Sequence, residues 1–440
     1  MSESSRRERL GQFPKDWAVA SLPEVVYFQE GPGITRDKFR ERGIPFLNIR
    51  CFAKGYINVE SCQCVSERLA FGAYKHFLLD EGDLVFSSSG TIGKIARIRR
   101  QDLPLMLNTS TIRFRSRDES VAAIDYVKVF LGTEQFSKQH RHQSQGSAQV
   151  NLGPTHLQLM FLPLPPLPEQ RKIASILTTV DRLIEQTEAL IEKYRRVKQG
   201  MMADLLSRGV DEHGKLRPTQ KQAPQLYKQS ELGWIPKEWE VGRLDSVAEV
   251  NRGKFTARPR NDPKFYGGEF PFIQTGDVAG SVGVHLWSFS QTLNALGTTV
   301  SKEFGAGTIL VTIAANIADT AILGVPMYLP DSVVGVVVNQ TQSVRFIELC
   351  IRSKKQHLNA LAPQTAQKNI NLEDLRPLLI PIPDQREQIR VSERYESLTQ
   401  QITQEQDSLT KLRTLKTGLM QDLLTGKVRV KVDQEEEAGA

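Results

Sequence analysis

The chain writes itself twice, and this duplication limits its fold more than any composition figure does. "GMMADLL" at residues 200–206 returns as "GLMQDLL" at 418–424, 218 residues later in a chain of 440. "FPKDWAVASL" at 13–22 returns as "IPKEWEVGRL" at 235–244, and "PFLNI" at 45 as "PFIQT" at 271. "GDLVFSSSGTIG" at 82 returns as "GTILVTIAANIA" at 307, "AQVNLGPTHL" at 148 as "AQKNINLEDL" at 366, and "LPEQR" at 167 as "IPDQR" at 382. The offsets lie between 215 and 226, always in the same order. A long-period repeat of this kind implies two copies of one structural unit, and 440 residues are too many for one core.

Each copy reads as a globular part followed by a long helix. "DLVFS" (83–87), "KIARIR" (94–99) and "TIRFR" (111–115) are short, β-branched and partly alternating, as strands are; "ILVTI" (309–313) and "SVVGVVVN" (332–339) are their counterparts. A helix over about 124–140 closes the first globular part and one over 346–361 the second. Each half is therefore expected to be α+β.

The long helices give the clearest periodic signal. "LPEQR" opens the first, with Pro168 at a first-turn position and Glu169 at the positive end of the helix dipole. Ile173, Ile176, Val180, Leu183, Leu190, Tyr194 and Val197 follow at alternating three- and four-residue steps, the spacing of a coiled-coil seam. Leu177, Ile184 and Ile191 widen that face. The second helix opens at "IPDQR", with Tyr395, Leu398, Ile402, Leu409, Leu412 and Leu419 as its seam. Counted from those openings it is three residues longer than the first, so the two helices are not expected to be equivalent throughout. A helix with one apolar face needs a partner, and each is the obvious partner for the other. The expected plan is a disordered N-terminus (1–12), a globular unit (13–166), a helix (167–209), a linker (210–230, read as disordered around "KQAPQLYKQ"), a second globular unit (231–381), a second helix (382–426) and a disordered acidic tail (427–440). Two similar units in pseudo-twofold arrangement would then be separated by two long antiparallel helices forming a coiled-coil spacer. Its 34-residue advance between Arg171 and Leu205 is roughly 50 Å at the helical rise.

The net charge of +7 is a mild hint of an anionic partner. Reading DNA needs cations for phosphates and amides or arginines for base edges. Candidates in the first unit are Arg36, Lys38 and Arg40, the loop residues Ser87, Ser89, Gly90, Thr91 and Lys94, then Arg97, and Arg141, Gln143, Gln145 and Ser147. In the second they are Arg252, Lys254, Arg258, Arg260 and Lys264 in "RGKFTARPRNDPK", with Asn316, Gln364 and Thr365 in the matched loops. The second loop has Ala315, Ala318 and Asp319 where the first has Gly90, Gly93 and Lys94, so it need not copy the first loop's backbone. Trp17 and Trp239 occupy matched positions and read as core anchors.

Catalytic motifs are missing. "SSGTIGKI" has a serine where a P-loop needs its first glycine. "NDPKF" has Lys264 where an amino-methyltransferase motif needs a second proline, and "EGPGI" is only a fragment of a nucleotide fingerprint. Four cysteines and seven histidines form no zinc pattern, so no metal site is expected and the thiols read as reduced. The polar N-terminus and the lack of a long apolar run point to the cytoplasm and to no membrane partner.

Taken together, the duplicated "FPKDW/IPKEW", "GDLVFSSSGTIGK", the "LPPLPEQRKIASIL" junction, the heptad helix and "GMMADLL/GLMQDLL" resemble the specificity (S) subunit of type I restriction-modification systems over nearly the whole chain. The resemblance implies a non-catalytic subunit whose globular units are target recognition domains, each reading one half of a bipartite, asymmetric site in double-stranded DNA. It implies helices that set the gap and dock two modification (methyltransferase) subunits, with restriction subunits joining to form the nuclease. It implies no cofactor on this chain; S-adenosylmethionine, ATP and magnesium would belong to the partners. The architecture leaves open a second reading, a two-headed protein-interaction scaffold without sequence-specific DNA binding.

Overall fold

A computed structural model describes residues 10, 13–53, 55–143, 151–362 and 369–432. The chain divides into two compact units: residues 1–188 with 407–440, and residues 189–406. The division cuts through both long helices, so each unit owns a globular part, the start of one helix and the end of the other. The helices thus also contribute to the cores of both units.

Unit 1 is built on an antiparallel sheet in the order Val26–Glu30, Thr111–Ser116, Leu84–Ser87, Ile95–Arg97. Its inner face carries Phe86, Ile112 and Phe114, packed with Tyr126, Val127 and Phe130 of the helix Ile124–Leu131. The expected helix over 124–140 is broken at Gly132; a second helix, Glu134–Gln143, starts behind Thr133, whose hydroxyl accepts from the Phe136 amide. A three-stranded sheet, Phe39–Arg40, Gln63–Val65 and Ile44–Phe46, forms a satellite layer with its own small core.

Unit 2 repeats the plan with an addition. Its main sheet runs Ala248–Arg252, Val333–Val338, Ile309–Thr312, Thr320–Leu323, and ends in a parallel edge strand, His285–Leu286. A second, four-stranded sheet centres on Tyr266–Phe272. The expected helix over 346–361 is again two, Val344–Ser353 and Lys355–Leu361. Both units are α+β.

The base of each unit repeats the same pairings. Strand Ala18–Ser21 pairs with Phe161–Leu164 in unit 1, and Glu240–Arg243 with Leu379–Ile382 in unit 2. A long helix follows each: Leu167–Ser207, 41 residues, and Gln385–Leu423, 39 residues. In its first turn Glu169 accepts from the Trp17 indole (3.1 Å), and Glu387 accepts from the Trp239 indole (3.0 Å). The next residue is a buried glutamine in both. Gln170 donates to Pro165 O and accepts from the Ala123 amide (2.9 Å each). Gln388 donates to Pro383 O (2.9 Å) and accepts from the Ser343 amide (2.8 Å). Glu169–Gln170 therefore matches Glu387–Gln388, an offset of 218, and not the 215 that aligning the prolines implies. The helix ends share the same offset, so the two helices are equivalent in length from this pair onward, which corrects the expected three-residue difference.

The incoming helix end closes on the same pair. Gly426 (φ +69°) lies so close to Pro14 that an added Cβ would sit 2.5 Å from the proline ring. Gly209 (φ +65°) would put a Cβ 2.1 Å from Glu387 and 2.3 Å from the Trp239 ring. Only glycine takes this left-handed turn at such close approach. An arginine just beyond each glycine completes the site. Arg429 donates to Glu169 (2.7 Å) and to Asp16 (2.8 Å), and Arg217 to Glu387 (3.0 Å).

Two expectations of disorder are corrected here. The linker carries Arg217, and its residues Tyr227–Ser230 pair with Gly233–Pro236. The tail is anchored through Arg429. Residues 1–9, 11–12 and 433–440 lie outside the described residues.

The seam of the first helix is also corrected. Ile173, Leu177, Val180 and Ile191 are buried, and Ile176, Leu190 and Tyr194 are half-buried, but Leu183 and Val197 are each 42% exposed. Neighbouring pairs such as Leu183/Ile184 and Leu190/Ile191 offer two heptad registers one residue apart, and packing selected the one through Leu177, Ile184 and Ile191. The second seam holds as read: Tyr395, Leu398 and Ile402 are buried, Leu409, Leu412 and Leu419 half-buried. In unit 1 the helix segments run antiparallel, Lys416 pairing with Asp181 (2.5 Å) and Arg413 with Glu188 (2.6 Å). Lys198, matched to Lys416, instead lies over the Tyr395 ring (4.7 Å) beside Arg352 and Arg345, and the position matched to Asp181 is Thr399.

Two outcomes test this account. Glu387→Ala takes the carboxylate acceptor from the Arg217 guanidinium and from the Trp239 and Val210 N–H groups, and urea unfolding should show a loss of about 3–5 kcal/mol. Burial, with Arg352 nearby, pushes Lys198 from its ordinary 10.5 down to about 8. The unfolded chain then holds a proton that the folded chain has released between these two values, so stability gains from this residue as pH rises from about 8 to 10.5. Lys198→Met should abolish that part of the pH dependence in melting curves recorded from pH 7 upward, referenced to wild type.

Candidate nucleic-acid interface

The sequence singled out two matched loops, and the structure places them at one end of each main sheet. In unit 1 strand Leu84–Ser87 runs into the loop 88–94. Ser87 is buried; its hydroxyl donates to Thr91 O (2.7 Å) and accepts from the Lys94 amide (2.9 Å). It forms the loop and presents nothing outward. Ser89 is half-buried, and Gly90, Thr91 and Lys94 are exposed at the rim. In unit 2 Thr312 does the work of Ser87, donating to Asn316 O and accepting from the Asp319 amide (3.1 Å). Asn316 is exposed.

The backbone of the first loop is copied by the second, although the lost glycines did not require it. Gly90 and Gly93 have φ of +64° and +99°; Ala315 and Ala318 have +61° and +60°. These two alanines are the non-glycine residues with positive φ among those described. A left-handed alanine costs about 1–2 kcal/mol, and such strain concentrates at functional sites. The loop shape is therefore kept in unit 2 at an energetic cost.

Each loop is tied to the chain that follows the closing helices. The Leu152 amide donates to Ser88 O (2.9 Å), and the Ile370 amide to Ile313 O (3.0 Å). The second group of candidates thus enters the same end of the sheet. Arg141 is exposed and pairs with Glu134. Gln145, Ser147, Gln364 and Thr365 lie outside the described residues, and Gln143 is described only in its backbone.

The basic clusters separate into exposed and internally used side chains. Arg36, Lys38 and Arg40 are exposed around the single turn Arg36–Lys38, with Arg40 folded back onto Asp37 O and Phe39 O (2.8 Å each). Arg97 is half-buried and paired with Asp125 (2.8 Å). In the neighbouring clusters Arg113 is buried on Leu78 O and His76 O, and Arg115 pairs with Asp83. In unit 2 the loop after Arg252 is wrapped on an aromatic core: Phe255 is buried against Phe265, Tyr266 and Phe272. Arg252, Arg258 and Arg260 converge on Asp331, through its carbonyl for Arg252 and its carboxylate for the other two. Lys264 pairs with Asp262 (3.0 Å), and Lys254 is exposed.

Sequence reasoning missed two features. A cavity of about 280 Å³ beside Arg260 is lined by Phe255, Tyr266, Gln274 and Gln291, with the Gln274 amide donating to Gln291 (2.9 Å). Its residues are scattered over nearly eighty positions, so no local pattern marks them. The second is Trp287, 65% exposed and two residues from Phe289, just beyond the edge strand; its matched segment in unit 1 has no such aromatic pair. Among the described residues no three His, Cys, Asp or Glu side chains are grouped to hold a metal ion, and no helix is long and apolar enough to cross a membrane.

Comparison with known proteins agrees with this duplication. The family model described as "Type I restriction modification DNA specificity domain" matches residues 14–193 and again 236–414. The chain is 25% identical over 437 residues to the putative type I restriction enzyme MjaX specificity subunit of Methanocaldococcus jannaschii, spanning 98% of this chain and 97% of that one. Its fold is similar to the crystal structure of the type I restriction-modification S subunit from M. genitalium, with a TM-score of 0.57, 14% identity, and 94% and 98% of the two chains covered. A second structure, from work on complex assembly and conformational transition of the type I R-M system, matches with a TM-score of 0.55 at 15% identity over 95% of this chain and all of the other. With one family domain in each half and together covering most of its length, the chain belongs to the specificity subunits of type I restriction-modification systems.

Proposed function

We propose that this chain reads a bipartite, asymmetric site in double-stranded DNA, one half per unit, and takes no part in the chemistry itself. The observation that carries the reading is a shared framework with different surfaces. The base and the sheet-end loop are alike in both units, while the exposed cations and the cavity-lining residues differ. A framework that must dock one kind of partner twice is kept; a surface that must read two different half-sites diverges. Residues 1–160 carry five more basic than acidic side chains, whereas in 231–377 the two balance. Phosphate contacts then rest on local groups: Arg36, Lys38 and Lys94 in unit 1, Lys254 and the Asp331-bound arginines in unit 2. Two modification subunits and the restriction subunits are the partners in this reading, and S-adenosylmethionine, ATP and magnesium act on them. The long helices carry the spacing between half-sites.

Co-expression with the neighbouring methyltransferase gene, followed by mapping of methylated bases across a genome, should reveal one split motif with a fixed gap. No new methylation, from a complex shown to form and to bind S-adenosylmethionine, would overturn the proposal in favour of a scaffold. Inserting four residues at matched positions of both long helices adds roughly 6 Å of helix. The mapped gap should grow by about two base pairs at 3.4 Å each; methylation that keeps its original gap would remove the helices from the role of ruler.

A further inference from the structure

Unit 1 contains a pair of thiols where unit 2 has a hydrogen bond. After the matched "PFLN" and "PFIQ" segments both chains make an excursion that starts from a short helical turn, capped by Asn48 in one unit and by Gln274 in the other. In unit 2 the excursion is closed at its root: Asp277 accepts from the Ser290 hydroxyl (2.8 Å) and backbone amide (3.3 Å). The residue matched to Asp277 is Cys51, at the same offset of 226 that relates Asn48 to Gln274. The residue matched to Ser290 is Cys62, at the same offset of 228 that relates Gly55 to Gly283, two glycines with φ of +74° each.

These positions share one core in unit 1. Cys51 is buried with Leu47, Phe52, Val85 and Leu107, and Cys62 packs against the same core, its thiol donating to Asn58 O (3.8 Å). The backbone brings them together: the Asn58 amide donates to Cys51 O (2.8 Å), and the Cys62 amide to Val59 O (3.0 Å). Cys51 is fully buried and Cys62 half-buried, so solvent reaches the pair from one side only. The excursion ends in the exposed Tyr56, whose ring lies 5.2 Å under the Arg99 guanidinium.

We propose that Cys51 and Cys62 form a reversible disulfide on oxidation, a covalent latch on the 51–62 excursion that unit 2 holds with the Asp277–Ser290 hydrogen bond. The oxidant class is a small-molecule disulfide. Cys62, the accessible thiol, attacks it, forming a mixed disulfide and releasing one thiol; Cys51 then attacks the Cys62 sulfur, closing the protein disulfide and releasing the second thiol. Two thiol protons and two electrons pass to the external disulfide. The nearness of the two thiols holds Cys51 below the usual cysteine range, which favours the closing step, and pushes Cys62 up, which makes the first step slow. The proposal is independent of how the chain reads DNA.

The test uses the full chain, native, equilibrated in glutathione redox buffers, quenched in acid, then denatured and alkylated. Of the four cysteines, two should lose reactivity together as the buffer becomes oxidising, and peptide mapping should join residue 51 to residue 62, reversibly with dithiothreitol. Cys64→Ser should keep the link. Cys62→Ser, which imports the residue unit 2 uses, should abolish it and leave the fold intact by melting. Amide exchange over residues 52–61 should slow by about tenfold or more in the oxidised chain. Four reactive thiols across all buffers, a link to Cys64, or a glutathione adduct persisting on Cys62 would overturn the proposal, and unchanged exchange in the linked chain would overturn the latch.

Discussion

A buried glutamate near the start of each long helix holds the rest of the structure in place. Glu169 is 3% exposed and Glu387 1%. Taking a carboxylate out of water costs several kcal/mol unless its oxygens are filled, and here they are filled by groups remote in sequence. Glu387 receives the indole N–H of Trp239, the backbone N–H of Val210 and the guanidinium of Arg217; Glu169 receives Trp17 and Arg429. The site is complete only when the globular part, the outgoing helix and the incoming helix end are all present. The position near the helix N-terminus adds a favourable dipole. The same requirement explains the left-handed glycines, because only a residue without Cβ lets the incoming helix end approach that pair.

This also explains why the seven-residue pattern is written twice. "GMMADLL" is the end of a helix that begins in unit 1 and is completed in unit 2, and "GLMQDLL" is the reverse. Leu205 joins the core of unit 2, and Leu423 and Leu424 join that of unit 1. Each unit is finished by an element supplied from the other half of the chain, so neither half of the sequence alone encodes a complete unit.

Above this shared base the units diverge, and the divergence follows the chemistry of a reader. The loop after Ser87 and Thr312 keeps its backbone even where alanine replaces glycine. Among the described residues, the cation group on Asp331 belongs to unit 2 and the Cys51–Cys62 pair to unit 1, while the aromatic clusters of the two satellite sheets are built from different residues. Of the cations that looked free in the sequence, many are committed. Arg97 lies on Asp125, and Arg258 on Phe255 O and Ala257 O. A charge run read along a chain counts side chains without their partners, and acids such as Asp331, distant in sequence, are what decide which cations remain outward.

By itself the sequence determined the duplication, the α+β character of each half, the matched tryptophans, the two long helices and the family. These rest on local chemistry, on hydrophobic period and on order along the chain. Only the tertiary structure decided the register. Proline-based alignment set the helices three residues apart, and the buried Glu-Gln pair removed that difference, because a carboxylate and an amide in a core accept one arrangement of donors and no other. Packing likewise chose Leu177, Ile184 and Ile191 over Ile176, Leu183 and Leu190, since these neighbours are equally apolar in sequence. The partners of each cation, the cavity at Gln274 and Gln291, and the meeting of Cys51 with Cys62 were decided there too. Each depends on contacts between residues far apart in the chain or on two turns folding back together, and no spacing rule encodes those.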